Sequence, residues 1–207
     1  METLRVRIHA FEPASRANGP GLRSVLWFQG CSLGCAGCFN PETHHVDGGQ
    51  ELTTREVSTM ILAATPPAEG VSFTGGEPFQ QPAAFLDILT AVKSFSLSTL
   101  CFSGYRREEI EGLELGREIL ARLDVLVAGR FVAARRSTRG LLGSANQEVH
   151  WLTDRYRDDD LAWIPERELI LHRGRNVMWL EWLPVILADV PIPVSNPHQT
   201  LPTRALV

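Results

Sequence analysis

Residues 4–11 (LRVRIHAF) alternate polar and apolar positions, the period of two that marks a half-buried strand. A Gly-, Pro- and Asn-containing loop, ASRANGPGLR, comes next. It leads into SVLWFQG, a mostly apolar run suited to a buried strand. After a polar, Gly-rich stretch, Thr53 or Thr54 is placed to cap a helix over 54–64, with Glu56 in its first turn. GVSFTGGEP reads as a strand ending in a glycine turn. PAAFLDILTAVKSF repeats apolar residues at helical spacing (Phe85, Ile88, Leu89, Val92) behind Pro82 at the helix start. STLCFSGY is a further strand and loop, REILARL a helix, and DVLVAGRF a strand. This recurrence of strand, loop and helix through residue 131 predicts a parallel sheet with right-handed crossovers. The units are too few to close an eight-unit barrel. The expected fold class is therefore α/β, an open, partial β/α barrel.

Beyond residue 131 the pattern changes. AARRSTRGLLGSANQ is a basic loop containing Gly and Ser, a type of run that is usually a solvated face. ELILHRGRNVMWLEWLP predicts two strands around Arg173–Asn176, a C-terminal β-hairpin. Prolines at 191, 193, 197 and 202 predict an extended tail. The chain thus divides into a barrel domain, 1–150, and a hairpin with its tail, 151–207, packed on the same domain.

Composition narrows the function classes. The chain has 207 residues, 44% hydrophobic and 21% charged, which suits one globular domain with a sizeable core. A net charge of −4 gives no general attraction to nucleic acid or to an anionic membrane. METLRVRIHAFEP lacks the apolar segment of a secretory leader, and no apolar run approaches the roughly 20 residues that cross a bilayer. A cytoplasmic protein with reduced thiols is expected.

In such a compartment clustered cysteines point to metal. Cys31, Cys35 and Cys38 stand in GCSLGCAGCFN with the spacing C-x3-C-x2-C. Three thiolates this close can converge on one iron–sulfur cube, and Gly30, Gly34 and Gly37 let the backbone turn tightly around it. Three protein ligands on a four-iron cube leave one iron open to a substrate or cofactor. The competing reading is structural zinc, which would need a second pair of ligands from Cys101, His44 or His45. Cys101, in the middle of a predicted strand, reads as a buried structural residue.

The C-x3-C-x2-C loop resembles the signature of the radical S-adenosylmethionine (SAM) superfamily. With GC before it and an aromatic and Asn after it, it resembles most the activating protein of anaerobic ribonucleotide reductase. NGPGLRSVLWFQGC is also similar to the lead-in of glycyl-radical activating enzymes. The resemblance implies a [4Fe–4S] cluster on Cys31, Cys35 and Cys38, with SAM bound to the open iron. It also implies SAM contacts from Asn40, from the SFTGGEP turn (Thr74, Gly75, Gly76, Glu77) and from Ser103 in FSGY, where Ser103 is placed to meet the ribose. Parallel α/β folds hold ligands beyond the carboxyl ends of their strands, where these segments fall. DVLVAGRF and GLLGSANQ resemble two further activator segments, but carry Ala128 and Leu142 where aspartate and arginine are frequent.

The function so implied is reductive cleavage of SAM to a 5′-deoxyadenosyl radical that installs a glycyl radical on a partner enzyme. A flavodoxin or ferredoxin-type reductant would supply the electron. One alternative is a radical SAM enzyme acting on a small molecule or ribosomal peptide. Another is a non-catalytic iron–sulfur or zinc protein.

Overall fold

The computed structural model describes residues 4–137, 140–163, 167–173 and 178–184. Strands β1 (Arg5–Ser15), β2 (Arg23–Phe28), β3 (Gln50–Thr53), β4 (Gly70–Gly75), β5 (Ser98–Ser103), β6 (Val125–Ala128) and β7 (Glu148–Trp151) form one sheet in the order β3-β1-β2-β4-β5-β6-β7. The sheet is open, as expected, with β3 and β7 at its edges. Its parallel part is confined to β2, β4, β5 and β6. β1 runs antiparallel to both β2 and β3, and β7 antiparallel to β6, so the sheet is mixed rather than wholly parallel. For β1 and β2 the reason is connection length. A parallel return needs a crossover of about a dozen residues or more, and the loop of residues 16–22 between β1 and β2 is too short to supply one.

Helix α1 (Thr54–Leu62) starts at a capping box: Glu56 N donates to Thr53 Oγ1 (3.1 Å) and Thr53 N to Glu56 Oε2 (2.7 Å). Its buried positions, Thr54, Val57, Ser58 and Ile61, keep the helical period. Helix α2 (Pro82–Ser94) buries Ala84, Phe85, Ile88, Leu89 and Val92. Both pack on one face of the sheet against Leu26, Phe28, Val71, Phe73, Cys101 and Leu126. Phe85 is central there, with ring centroids 5.3 Å from Phe28, 5.0 Å from Phe73 and 5.6 Å from Phe79. The opposite face carries a smaller cluster, Leu100, Val125, Val127 and Leu141, with Trp151 and Tyr156 against it. Helices α3 (Arg107–Glu111) and α4 (Gly116–Leu120) are single turns; REILARL is helical only as far as Leu120.

Arg23, at the start of β2, is fully buried. It ties together the N-terminal ends of the parallel strands. Its Nε donates to Ser72 Oγ (2.7 Å), Nη1 to Ser98 Oγ (2.8 Å) and Nη2 to Val71 O (2.8 Å). A Cβ on Gly19 or Gly70 would come within 2.8 or 2.7 Å of this side chain, so those glycines make room for it. Asp124 plays a similar part before β6. It accepts from Thr99 N (2.8 Å), Lys93 Nζ (3.1 Å) and Thr153 Oγ1 (2.9 Å). Burial alone would raise its carboxyl, but these bonds outweigh burial and hold it below the ordinary aspartate value.

Strands β8 (Arg167–Arg173) and β9 (Met178–Pro184) form the expected antiparallel hairpin as a separate two-stranded sheet. The expected tail lies outside the described residues.

Candidate metal centre

The carboxyl ends of the parallel strands open into one cavity of about 200 Å³. Cys31, Cys35 and Cys38 line it, and so do Asn40, Thr74, Gly75, Gly76, Glu77 and Ser103. Trp27, Phe102, Phe131 and Leu141 give it an apolar wall. The structure therefore brings together every residue singled out from sequence as a ligand or cofactor contact. Cys101 stands apart, fully buried in the helix-covered core.

The cysteine loop is held on both flanks of Cys31. Gly30 N donates to Thr43 O (2.7 Å), Cys31 N to His44 O (3.1 Å) and Glu77 N to Gly30 O (2.9 Å). Three glutamines complete the bracing. Gln29 Nε2 donates to His45 O (2.7 Å) and Glu42 O (3.1 Å). Gln81 Nε2 donates to Gln29 O (2.9 Å). Gln80 accepts from Ser32 N (3.0 Å) and donates to Ser32 Oγ (2.7 Å) and Tyr105 OH (3.1 Å). The sequence reading missed these amides, because an amide carries no periodic signal. The doubled Gln80–Gln81, one residue after the GGEP turn, was a visible hint of two of them.

The GGEP turn reaches the same loop through its backbone. Gly75 has φ +90°, and a Cβ on Gly76 would sit 2.4 Å from Gly30 O, so β4 can pass the cysteine strand only with glycine there. Glu77 does not present its charge at the cavity surface. It is 1% exposed, and its carboxylate accepts from Phe79 N (3.1 Å), Ser103 Oγ (2.9 Å) and Gly104 N (2.8 Å). Burial pushes its carboxyl up to about 7, against the pull of those three donors. Ser103, with its proton committed to Glu77, can only accept from a ligand.

Of the arginines in and beside the basic loop, Arg130 is ion-paired and Arg135 is exposed. Arg130 Nη1 donates to both oxygens of Glu109 (3.0 and 2.7 Å) and lies over the Tyr105 ring. Arg136 lies over Phe39, and Arg139 falls outside the described residues.

The donor set suits an iron–sulfur cluster. The three thiols are half-buried and free. Burial pushes the Cys31 and Cys38 thiols up, so loading must displace protons. Cys101 faces away, leaving three thiols for a four-iron cube.

The model of a 4Fe–4S single cluster domain matches residues 17–150. The anaerobic ribonucleoside-triphosphate reductase-activating protein of Salmonella typhi is 31% identical over 157 residues, 71% of this chain and 99% of that protein. The pyruvate formate-lyase-activating enzyme of Clostridium pasteurianum is 41% identical over 97 residues, 45% of this chain and 41% of that enzyme. This chain thus spans nearly the whole of the first relative and less than half of the second. The solved structure of QueE from Escherichia coli is 16% identical, with a TM-score of 0.42 over 48% of this chain and 52% of that one. The site and these matches define an iron–sulfur protein of the radical SAM class. Within that class, the chain belongs to the 4Fe–4S single cluster family, alongside the activating enzymes of glycyl-radical systems.

Proposed function

We propose that this chain cleaves SAM reductively and uses the radical to activate a glycyl-radical enzyme. The observation that carries the reading is one cavity faced by three free thiols and by the turn Thr74–Gly75–Gly76. Cys31, Cys35 and Cys38 are the ligands of the cluster, bound as thiolates. The chemistry supplied by cluster and SAM together is one-electron cleavage of a sulfonium C–S bond to methionine and a 5′-deoxyadenosyl radical. The chain's own residues bind and orient. The backbone of Thr74, Gly75 and Gly76 receives the ammonium of SAM, Ser103 accepts from its ribose, and Asn40 closes the ring of contacts. Glu77 acts behind them, holding the ends of β4 and β5 in register. Trp27 and Phe102 keep water from the reacting carbon. The electron comes from a flavodoxin or ferredoxin-type protein, and the reaction takes place in the cytoplasm.

Anaerobic reconstitution with iron and sulfide, followed by dithionite and SAM, tests the reading. The expected product is 5′-deoxyadenosine, absent from C35A. Addition of a glycyl-radical enzyme encoded beside this gene should give a glycine-centred paramagnetic doublet. A fully loaded chain that yields no 5′-deoxyadenosine overturns the proposal. Deoxyadenosine without a doublet moves the substrate to a small molecule or peptide.

A further inference from the structure

Phe39, directly after Cys38, has the Phe131 ring against it, with centroids 4.5 Å apart and planes tilted by 53°. The Arg136 guanidinium carbon lies 4.8 Å from the centre of the same Phe39 ring. The fit leaves little space. A Cβ on Gly143 would come within 3.0 Å of Phe39, and one on Gly37, directly before Cys38, within 3.3 Å of Ala133 Cβ. The loop that carries Phe131 is itself fixed. Val132 N donates to Ser144 Oγ (3.1 Å), and Ala145 N to Arg135 O (2.7 Å). Gln147 donates to Gly129 O (2.8 Å) and accepts from Gly143 N (2.8 Å). Phe131 belongs to neither apolar core, yet with Phe39 it lines the cavity of the three cysteines.

From this juxtaposition we infer that Phe131 is a positioning residue for the cluster: by seating Phe39 it fixes Cys38 and closes that side of the cavity to water. The inference rests on the cluster ligation proposed above. Cluster potentials respond to solvent exposure. Reduction adds negative charge, and water admitted beside Cys38 would solvate that charge, so opening this contact raises the potential.

The test uses the full chain, wild type and F131A, F131L and F131Y, reconstituted anaerobically with iron and sulfide. Two quantities are read: the midpoint potential, by paramagnetic resonance during a dye-mediated titration, and the rate of iron loss to an added chelator. F131A and F131L should titrate at higher potential and lose iron several-fold faster, with F131Y close to wild type and the melts of the metal-free chains alike. Wild-type potential and wild-type chelation rate in F131A overturn the inference. If F131A weakens the metal-free fold, F131L decides by the same two readings. A wild-type chain that takes up no cluster overturns the ligation and this inference together, whereas a normal cluster unmoved by F131A and F131L overturns this inference alone.

Discussion

Cys31, Cys35 and Cys38 are half-buried around a cavity, whereas Cys101 is sealed among Phe and Leu side chains on the far side of the sheet. The same side chain therefore meets two different environments in this protein. C38A should abolish iron uptake on reconstitution, read as iron per chain and visible absorbance. C101A should load normally while losing about 1 kcal/mol of stability from its small cavity. Equal loading of the two variants would contradict the assignment. Glu77 is a second residue whose surroundings decide its role. Replacing it with Ala strands two buried donors, on Phe79 and Ser103, and a half-buried one on Gly104, which should cost roughly 3 kcal/mol in a urea titration of the metal-free chain.

At the scale of elements, the junctions between strands depend on single polar groups. Asp124 joins β6 to β5, to α2 through Lys93 and to Thr153. Its carboxyl is held low in the folded chain, so the stability it contributes is present above the unfolded value near 4. That contribution is lost as pH falls through the lower, folded value. D124N should therefore be less stable than wild type by about 2 kcal/mol at pH 7. The gap should narrow in urea titrations carried below pH 4. A gap that is constant with pH would mean that the charge is not what matters.

Elements with strong apolar periodicity were legible in the sequence: β2, β4, α2 and β5 lie where the pattern put them, and β1 begins there but runs on to Ser15, into the expected loop. β3 and β7 were not. They are four-residue edge strands with no fully buried residue: Gln50–Thr53 holds one apolar side chain, Leu52, and the alternation of Val149 and Trp151 in Glu148–Trp151 is too short to stand out from the loops around it. α3 was missed because one helical turn is shorter than the period that would reveal it. The cysteines and the GGEP turn stood out because their chemistry needs particular residue types at fixed spacing. Gln29, Gln80 and Phe131 did not, because bracing a loop draws on residues brought close only by the fold.

At the scale of the whole molecule, the two ends of the parallel strands have separate tasks. The carboxyl ends open into the cavity of the proposed cluster, and the amino ends and the helix-covered face hold the fold. F85A, in the middle of the aromatic cluster, should cost about 3–5 kcal/mol of stability. In chains kept folded by low temperature it should still permit full iron loading. Iron loading that falls in proportion to stability would show that the two ends are not separable.

Arg23 sets a condition on how the protein can be made. Ser98, one of its partners, lies 75 positions further along the chain. A nascent polypeptide that has not yet released that serine from the ribosome has nowhere to seat the guanidinium except water. The hairpin of β1 and β2 must then wait, held by its own ladder, until the later strands arrive to enclose the charge.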